Sequence, residues 1–358
     1  MTMRNGPVVI IGGGQSGLAA ARAVREAGLS PLVLEASGRA AGSWPSYYDS
    51  LTLFSPARHS ALPGLDFGGD PDRYPHRDEV VAYLERYAAW LGVEVRTGVR
   101  VESVRPGHGG GFTVRADDGQ EIAAAGVVAA SGSRPYVPEL PGQETFTGEV
   151  LHVAAYRNPT RYEGRRVIVV GAGDSAVQIG YELAQVARVT LASRAPVRLM
   201  SRLQRGRDVH HWSVTSGFDL LPPEWLARIV PGRLVNDPGD YERAFASGRL
   251  ERRPMFLRLD EDHVVWADGT RERVDAILLA TGYLPDLGYL AGLGALDDRG
   301  LPLHSGGLSV TVPGLVYLGL EFQRSFASNT LRGVARDADF VIGPLAAYAA
   351  GAPAAIGL

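Results

Sequence analysis

The hydrophobic pattern of this chain repeats one unit twice. An unbroken apolar run at Val8–Ile11 meets glycines at 12, 14 and 17, passes into an alanine-rich helical pattern reaching Glu26, and returns to an apolar run over 32–34 that stops at Glu35. Continuous apolar runs of this length, bounded by turn residues, are expected of strands buried on both faces of a parallel sheet. The pattern returns with an apolar run over 167–170, a turn at Gly171, Gly173 and Ala176, a helix, and a strand ending at Ser193 and Arg194. The two units are offset by 159 residues, and that offset carries Glu35 onto Arg194 without a gap. Between them, Val80, Val81, Leu84, Tyr87 and Leu91 predict a helix over 78–91, with strands around Val93, Val101 and Phe112. Apolar runs meet small-residue turns twice more, within 126–142 and 274–286, where the chain can cross between domains. A proline-broken, aromatic-rich stretch over 200–254 has no clear period and is a candidate cap over a substrate pocket.

Strand, glycine turn, helix, strand and a terminal acid about 20 residues on make up the dinucleotide-binding fingerprint. Gly12 would form the turn, Gly14 would let the backbone approach a pyrophosphate, and Gly17 would let helix pack on strand. The free N–H groups of the helix N-terminus would hold the phosphates. Glu35 suits the two ribose hydroxyls of FAD and repels a 2′-phosphate. Arg194, helped by Ser193, offers a planar fork of donors that suits one, so the second unit reads as the NADPH site. The alternatives are a purely structural glycine turn and a solvated loop arginine. The expected fold is therefore α/β, with two Rossmann-like domains: an FAD domain over 1–145 and 285–358, and an NADPH domain over 146–284 inserted into it.

Composition narrows this reading. With 358 residues, more than one core is expected. The 36 basic and 39 acidic residues leave a net charge of −3, which suggests no nucleic-acid partner. The absence of cysteine excludes disulfides, thiolate metal sites and dithiol redox chemistry. His210 and His211 are adjacent and have no evident third ligand, so no metal is expected. The first apolar run is too short for a signal-peptide core, which favours a cytoplasmic protein. The uncharged segment 340–358 is broken by Gly343, Pro344, Gly351 and Pro353, and is read as a terminal helix on the core with a frayed tail, not a membrane anchor.

The order of motifs resembles the flavin-containing monooxygenases, which hold FAD and NADPH on one chain. The most specific match is Phe146, Gly148, His152 and Tyr156, which reproduce F-x-G-x-x-x-H-x-x-x-Y/F/W just before the second unit. Ala280, Thr281, Gly282 and Tyr283 resemble the A-T-G-Y segment of the family, and Gly42 with Trp44 its G-x-W element. The resemblance covers nearly the whole chain and is nearest to small bacterial members encoded beside arsenic- or metal-resistance genes. It implies that NADPH reduces the flavin, that the reduced flavin uses O₂, and that one oxygen atom passes to a soft nitrogen or sulfur nucleophile of a small molecule. Gly132 and Gly282, at the two small-residue turns, and by resemblance alone Gly319, Leu331 and Arg332, would line the flavin; Thr281 would help bind cofactor, and His152 and Tyr156 are the catalytic candidates. A plain buried histidine is the alternative for His152.

Two departures limit the resemblance. Phe54, Ser55, Pro56 and Ala57 stand where animal-type members carry an active-site asparagine. Arg157 follows Tyr156 where Baeyer–Villiger enzymes favour tryptophan, which disfavours ketone-to-ester chemistry. A quinone-type reductase, a Baeyer–Villiger enzyme and a non-catalytic NADPH-binding redox sensor stay open, as does a homo-oligomer.

Overall fold

The computed structural model describes residues 6–108, 110–229 and 234–351. The end of the apolar tail, 352–358, and residues 230–233 of the candidate cap lie outside them. The first repeat forms β1 (Val8–Ile11), α1 (Gln15–Glu26) and β2 (Pro31–Glu35). α2 (Arg77–Leu91) follows, then β3 (Glu94–Thr97). The start of α2 is written locally: His76 accepts from the Asp78 N–H while Glu79 accepts from the His76 N–H, a reciprocal cap.

A seven-stranded sheet runs in the order His304–Ser305, Leu308–Ser309, Leu315–Tyr317, Gly126–Ala129, β1, β2, β3. Its last five strands are mutually parallel. It therefore draws strands from both ends of the chain. A five-stranded, all-parallel sheet runs Leu250–Pro254, Arg188–Ser193, Arg166–Val170, Ala276–Leu279, Glu149–His152. All of its strands fall between those two contributions. The chain crosses between the sheets at Ser133–Pro135 and Tyr283–Pro285, which pair antiparallel as a two-stranded bridge.

Each sheet is covered on both faces. α1, α2 and the C-terminal helix α7 (Val334–Ala349) bury Leu18, Val80, Leu84 and Val341 against β1. Ala19, Ala20, Ala21 and Ala23 keep α1 thin, so α7 packs close, and buried Arg22 pairs with Glu26 and with Asp339 of α7. In the second domain α3 (Asp174–Leu183) packs Val177 and Ile179 on one face, while Trp266 and Leu259 cover the other. Tyr48 and Leu51, from the loop after β2, pack into that second core, so the two domains share a packed seam.

The stretch over 200–254 is not only a cap. It holds the short helices α4 (Val209–Thr215), α5 (Pro223–Ile229) and α6 (Asp240–Ala246), but its last strand, Leu250–Pro254, is an edge strand of the second sheet. Alternation is weak there because edge strands and seven-residue helices leave too few positions to show a period. Among the described residues no helix is long and apolar enough to cross a membrane.

Candidate functional site

The end of β1 forms a cradle that side chains would fill. Gly12 has φ +109°, and a Cβ there would lie 2.3 Å from the Ala130 carbonyl oxygen. A Cβ at Gly17 would lie 1.8 Å from the Gly12 carbonyl oxygen, so α1 starts where it does only without a side chain. Gly14 and Gly42 approach backbone to backbone, since a Cβ on Gly42 would lie 2.8 Å from the Gly14 Cα. Gly13, which the fingerprint leaves unassigned, is equally constrained: its Cβ would lie 2.9 Å from that of Glu35. Glu35 is buried, with Oε2 accepting the Gly13 N–H at 2.5 Å and Oε1 the Ser37 N–H at 2.7 Å.

Gly12, Gly14, Glu35 and Gly42 line a cleft of about 910 Å³, together with Trp44, Gly132, Gly319 and Leu331. The volume lies at the upper end of small-molecule sites, and the cleft has glycine backbone and an uncapped helix N-terminus at its centre. α1 carries no acid in its first turn, so its N–H groups face no competing carboxylate. The donor set and the missing side chains fit an FAD pyrophosphate and ribose. Gln15 is a further contributor: it accepts from the Trp44 indole at 2.8 Å and donates to the Asn329 carbonyl at 2.7 Å. It ties the G-x-W element and the 329–331 segment to the helix start; its position inside the glycine turn was the available signal.

The second unit repeats the geometry with more room. Gly171 has φ +151°, and its Cβ would lie 2.5 Å from the Ala280 oxygen. Gly173 caps α3, and Ala176 replaces the third glycine. Ser193 ends its strand and donates to the Ala195 carbonyl at 2.7 Å, and Arg194 is exposed beside it. Unlike α1, α3 begins with an acid, Asp174.

His152 and Tyr156 sit at the domain seam, and neither lines the cleft. The His152 Nδ1 accepts from the Ala154 N–H at 3.1 Å, so Nε2 carries the proton and donates to the Gly282 carbonyl at 3.1 Å. Burial holds its pKa below the usual value, so the ring stays neutral. Tyr156 donates to Glu182 at 2.8 Å, and its pKa is raised by burial and by that carboxylate. Thr281 and Gly282 likewise serve the crossing: Thr281 donates to the Tyr136 carbonyl at 2.5 Å. Arg332 departs from its expected place beside the flavin. Its side chain turns into the cap and forms a bidentate pair with Asp219 at 2.7 and 2.9 Å. The two charges are 7% and 2% exposed, and a buried carboxylate draws the guanidinium away from the cleft. His210 and His211 diverge as expected for neighbours, His210 onto Asp208 and His211 against Trp212.

Two glycine-turn cradles on parallel sheets joined by a double crossing define a flavoprotein oxidoreductase with two dinucleotide sites. Residues 9–210 match the family model of the pyridine nucleotide-disulphide oxidoreductases. The chain belongs to that family and, within it, to the flavin monooxygenases. A flavin-containing monooxygenase from Stenotrophomonas maltophilia superposes with a TM-score of 0.83 at 33% identity, over 97% of this chain and 99% of that one. The indole-3-pyruvate monooxygenase YUCCA1 of Oryza sativa is 31% identical over 326 residues, 81% of this chain and 80% of its own. An uncharacterized CzcO-like oxidoreductase of Geobacillus kaustophilus is 29% identical over 344 residues, 94% of this chain and 97% of its own. The protein is thus an FAD-dependent oxidoreductase of the monooxygenase type, acting on a small molecule with O₂, and members of its family use FAD and NADPH.

Proposed function

We propose that the protein consumes NADPH and O₂ to transfer one oxygen atom to a soft nucleophile, an amine nitrogen or a sulfur, with residues 1–145 and 285–358 holding FAD and 146–284 holding NADPH. The observation that carries this reading is the pair of cradles with unlike ends, a buried carboxylate at Glu35 and an exposed guanidinium at Arg194. A carboxylate accepts from ribose hydroxyls, and a guanidinium donates to a 2′-phosphate. When bound, NADPH supplies the hydride and FAD the means of activating O₂.

The work of this chain is to bind, orient and exclude water. The helix α1 N-terminus and Glu35 fix the FAD at its diphosphate and ribose. Trp44, Gln15 and Leu331 close the cleft at the start of α1. His152 and Tyr156 brace the seam: His152 pins the crossing at Gly282 to the end of the strand Glu149–His152, and the Tyr156 ring packs tilted against that of Tyr48 from the other domain, at 6.1 Å between ring centroids. This would fix the distance between the two nucleotides. NADPH oxidation that depends on both O₂ and an added amine or sulfide, with one product formed per coenzyme consumed, tests the reading. Equal NADPH oxidation without O₂ when a quinone is supplied would favour a reductase instead.

A further inference from the structure

The candidate cap presents more apolar surface to solvent than its packing requires. Sixteen large apolar side chains are exposed among the described residues, and six of them, Leu203, Trp212, Val214, Leu220, Trp225 and Ile229, fall within the 27 residues of 203–229. Apolar side chains scattered singly over a surface are ordinary, but a concentration of them marks a contact site. The helix α5 makes the point within one turn. Leu226 is buried and seats the helix, while Trp225 and Ile229, four residues apart on its outward side, are 60% and 56% exposed. A helix that only covered a core would carry polar residues at both positions.

The same stretch carries positive charge, against the sign of a chain whose net charge is −3. Arg205, Arg207 and Arg228 are exposed there, and Glu224 is the exposed acid. The other two acids are already engaged, Asp208 by Tyr74 and His210, and Asp219 by Arg332. Arg205 stands at the tip of the hairpin that pairs Leu203–Gln204 with Arg207–Asp208, and has φ +50°. Glycine, asparagine or aspartate takes that backbone more easily, so this turn keeps an outward cation at some cost to itself. The Trp212 indole donates to the Gln204 carbonyl at 2.8 Å and joins the hairpin to α4. Phe218 meets Phe326 edge-on at 5.3 Å between ring centroids, and Asp219 holds Arg332, so the cap is tied to the segment that carries Leu331 into the cleft.

We propose that the outer surface of the cap docks on an anionic lipid bilayer, with Trp212, Leu220, Trp225 and Ile229 entering the boundary between headgroups and acyl chains while Arg205, Arg207 and Arg228 meet the headgroup phosphates. Tryptophan favours that boundary because its ring is apolar and its N–H polar, and each arginine gains attraction from the negative surface. Among the described residues no helix is long and apolar enough to cross a membrane, so the contact is peripheral. A second copy of the chain suits the surface less well, because an isologous contact sets the patch on itself and brings the three arginines of each copy together.

The test is cosedimentation of the FAD-loaded protein with vesicles of phosphatidylcholine alone and of phosphatidylcholine with about 30% phosphatidylglycerol. Protein should sediment with the anionic vesicles, stay largely in solution with the neutral ones, and leave the anionic ones as salt is raised. Arg205→Gln with Arg207→Gln should weaken the partition by roughly 10- to 30-fold. Trp225→Glu with Ile229→Glu should abolish it. Flavin content per chain and melting temperature should match wild type in both variants, which separates lost docking from lost folding. Val310→Glu, at an apolar residue 63% exposed outside the cap, should bind as wild type does. A second measurement leaves the fold almost untouched: anionic vesicles should move the tryptophan emission of wild type to shorter wavelength, and Trp225→Phe should remove part of that shift while still binding. No binding to anionic vesicles at low salt, undiminished binding by the Trp225→Glu, Ile229→Glu variant, or equal loss in Val310→Glu would overturn the proposal. A concentration-dependent dimer broken by that variant, with no vesicle binding by wild type, would overturn it too and give the surface to a second copy.

Discussion

At Gly17 a single methyl group separates a dinucleotide cradle from a blocked one. Its Cβ would fall 1.8 Å from the Gly12 oxygen, a contact no side-chain motion relieves because both partners are backbone. Gly17→Ala should therefore shift α1 and yield protein that copurifies with little or no FAD, measured as flavin absorbance per chain. Ala176 holds the equivalent place in the second unit without such a clash, so Ala176→Gly should leave coenzyme use almost unchanged. Arg194 decides a different question. A contact from it to a 2′-phosphate should contribute about 1.5–3 kcal/mol if desolvated and less if open to water. That corresponds to roughly a 10- to 100-fold preference for NADPH over NADH. Arg194→Ala should raise the NADPH Michaelis constant by about that factor and leave NADH use nearly unchanged; equal losses for both would assign Arg194 to the fold.

The elements were unevenly legible in the sequence. β1, α1 and β2, and their copies 159 residues on, could be read because buried parallel strands and glycine turns leave a dense local signal. The helix over 78–91 was readable for a similar reason, its period lying within fifteen residues. The cap was not, because its order comes from contacts made across the chain. Asp219 and Arg332 are 113 residues apart, and nothing near either one announces the pair. Resemblance alone put Arg332 beside the flavin; the partner that draws it away is invisible to any local pattern. Asp219→Ala should leave a buried guanidinium uncompensated and lower stability by about 3–5 kcal/mol. Replacing both residues with apolar ones of similar volume, Asp219→Leu with Arg332→Met, should recover most of that loss in a denaturant titration. No recovery would mean the pair is needed for something other than charge balance.

For the whole molecule, the buried and half-buried histidines make a prediction about acid. His59, His152 and His304 all have pKa values pushed below the usual range, first by burial and, for His59, also by His210 and Arg332. The unfolded chain therefore takes up protons before the folded one does. Stability from these groups is fully present above the unfolded value of about 6.5 and is lost as pH falls from there towards the folded values. The melting temperature should drop as pH falls below about 6.5, and His152→Gln should flatten part of that drop. A melting temperature that rises on acidification over the same range would show that these rings are not held neutral. His152 is an informative probe because its ring pins the crossing segment at Gly282 to the strand Glu149–His152, so its protonation should loosen the crossing as well as lower stability.

In the function proposed above, both dinucleotide sites serve oxygen transfer to an outside nucleophile. The most direct measurement is turnover of NADPH and an amine or sulfide under ¹⁸O₂, with mass analysis of the product. Each product molecule should carry one ¹⁸O atom, with one NADPH consumed for each. Product oxygen drawn from water, or ¹⁸O found only in hydrogen peroxide for every nucleophile offered, would contradict it.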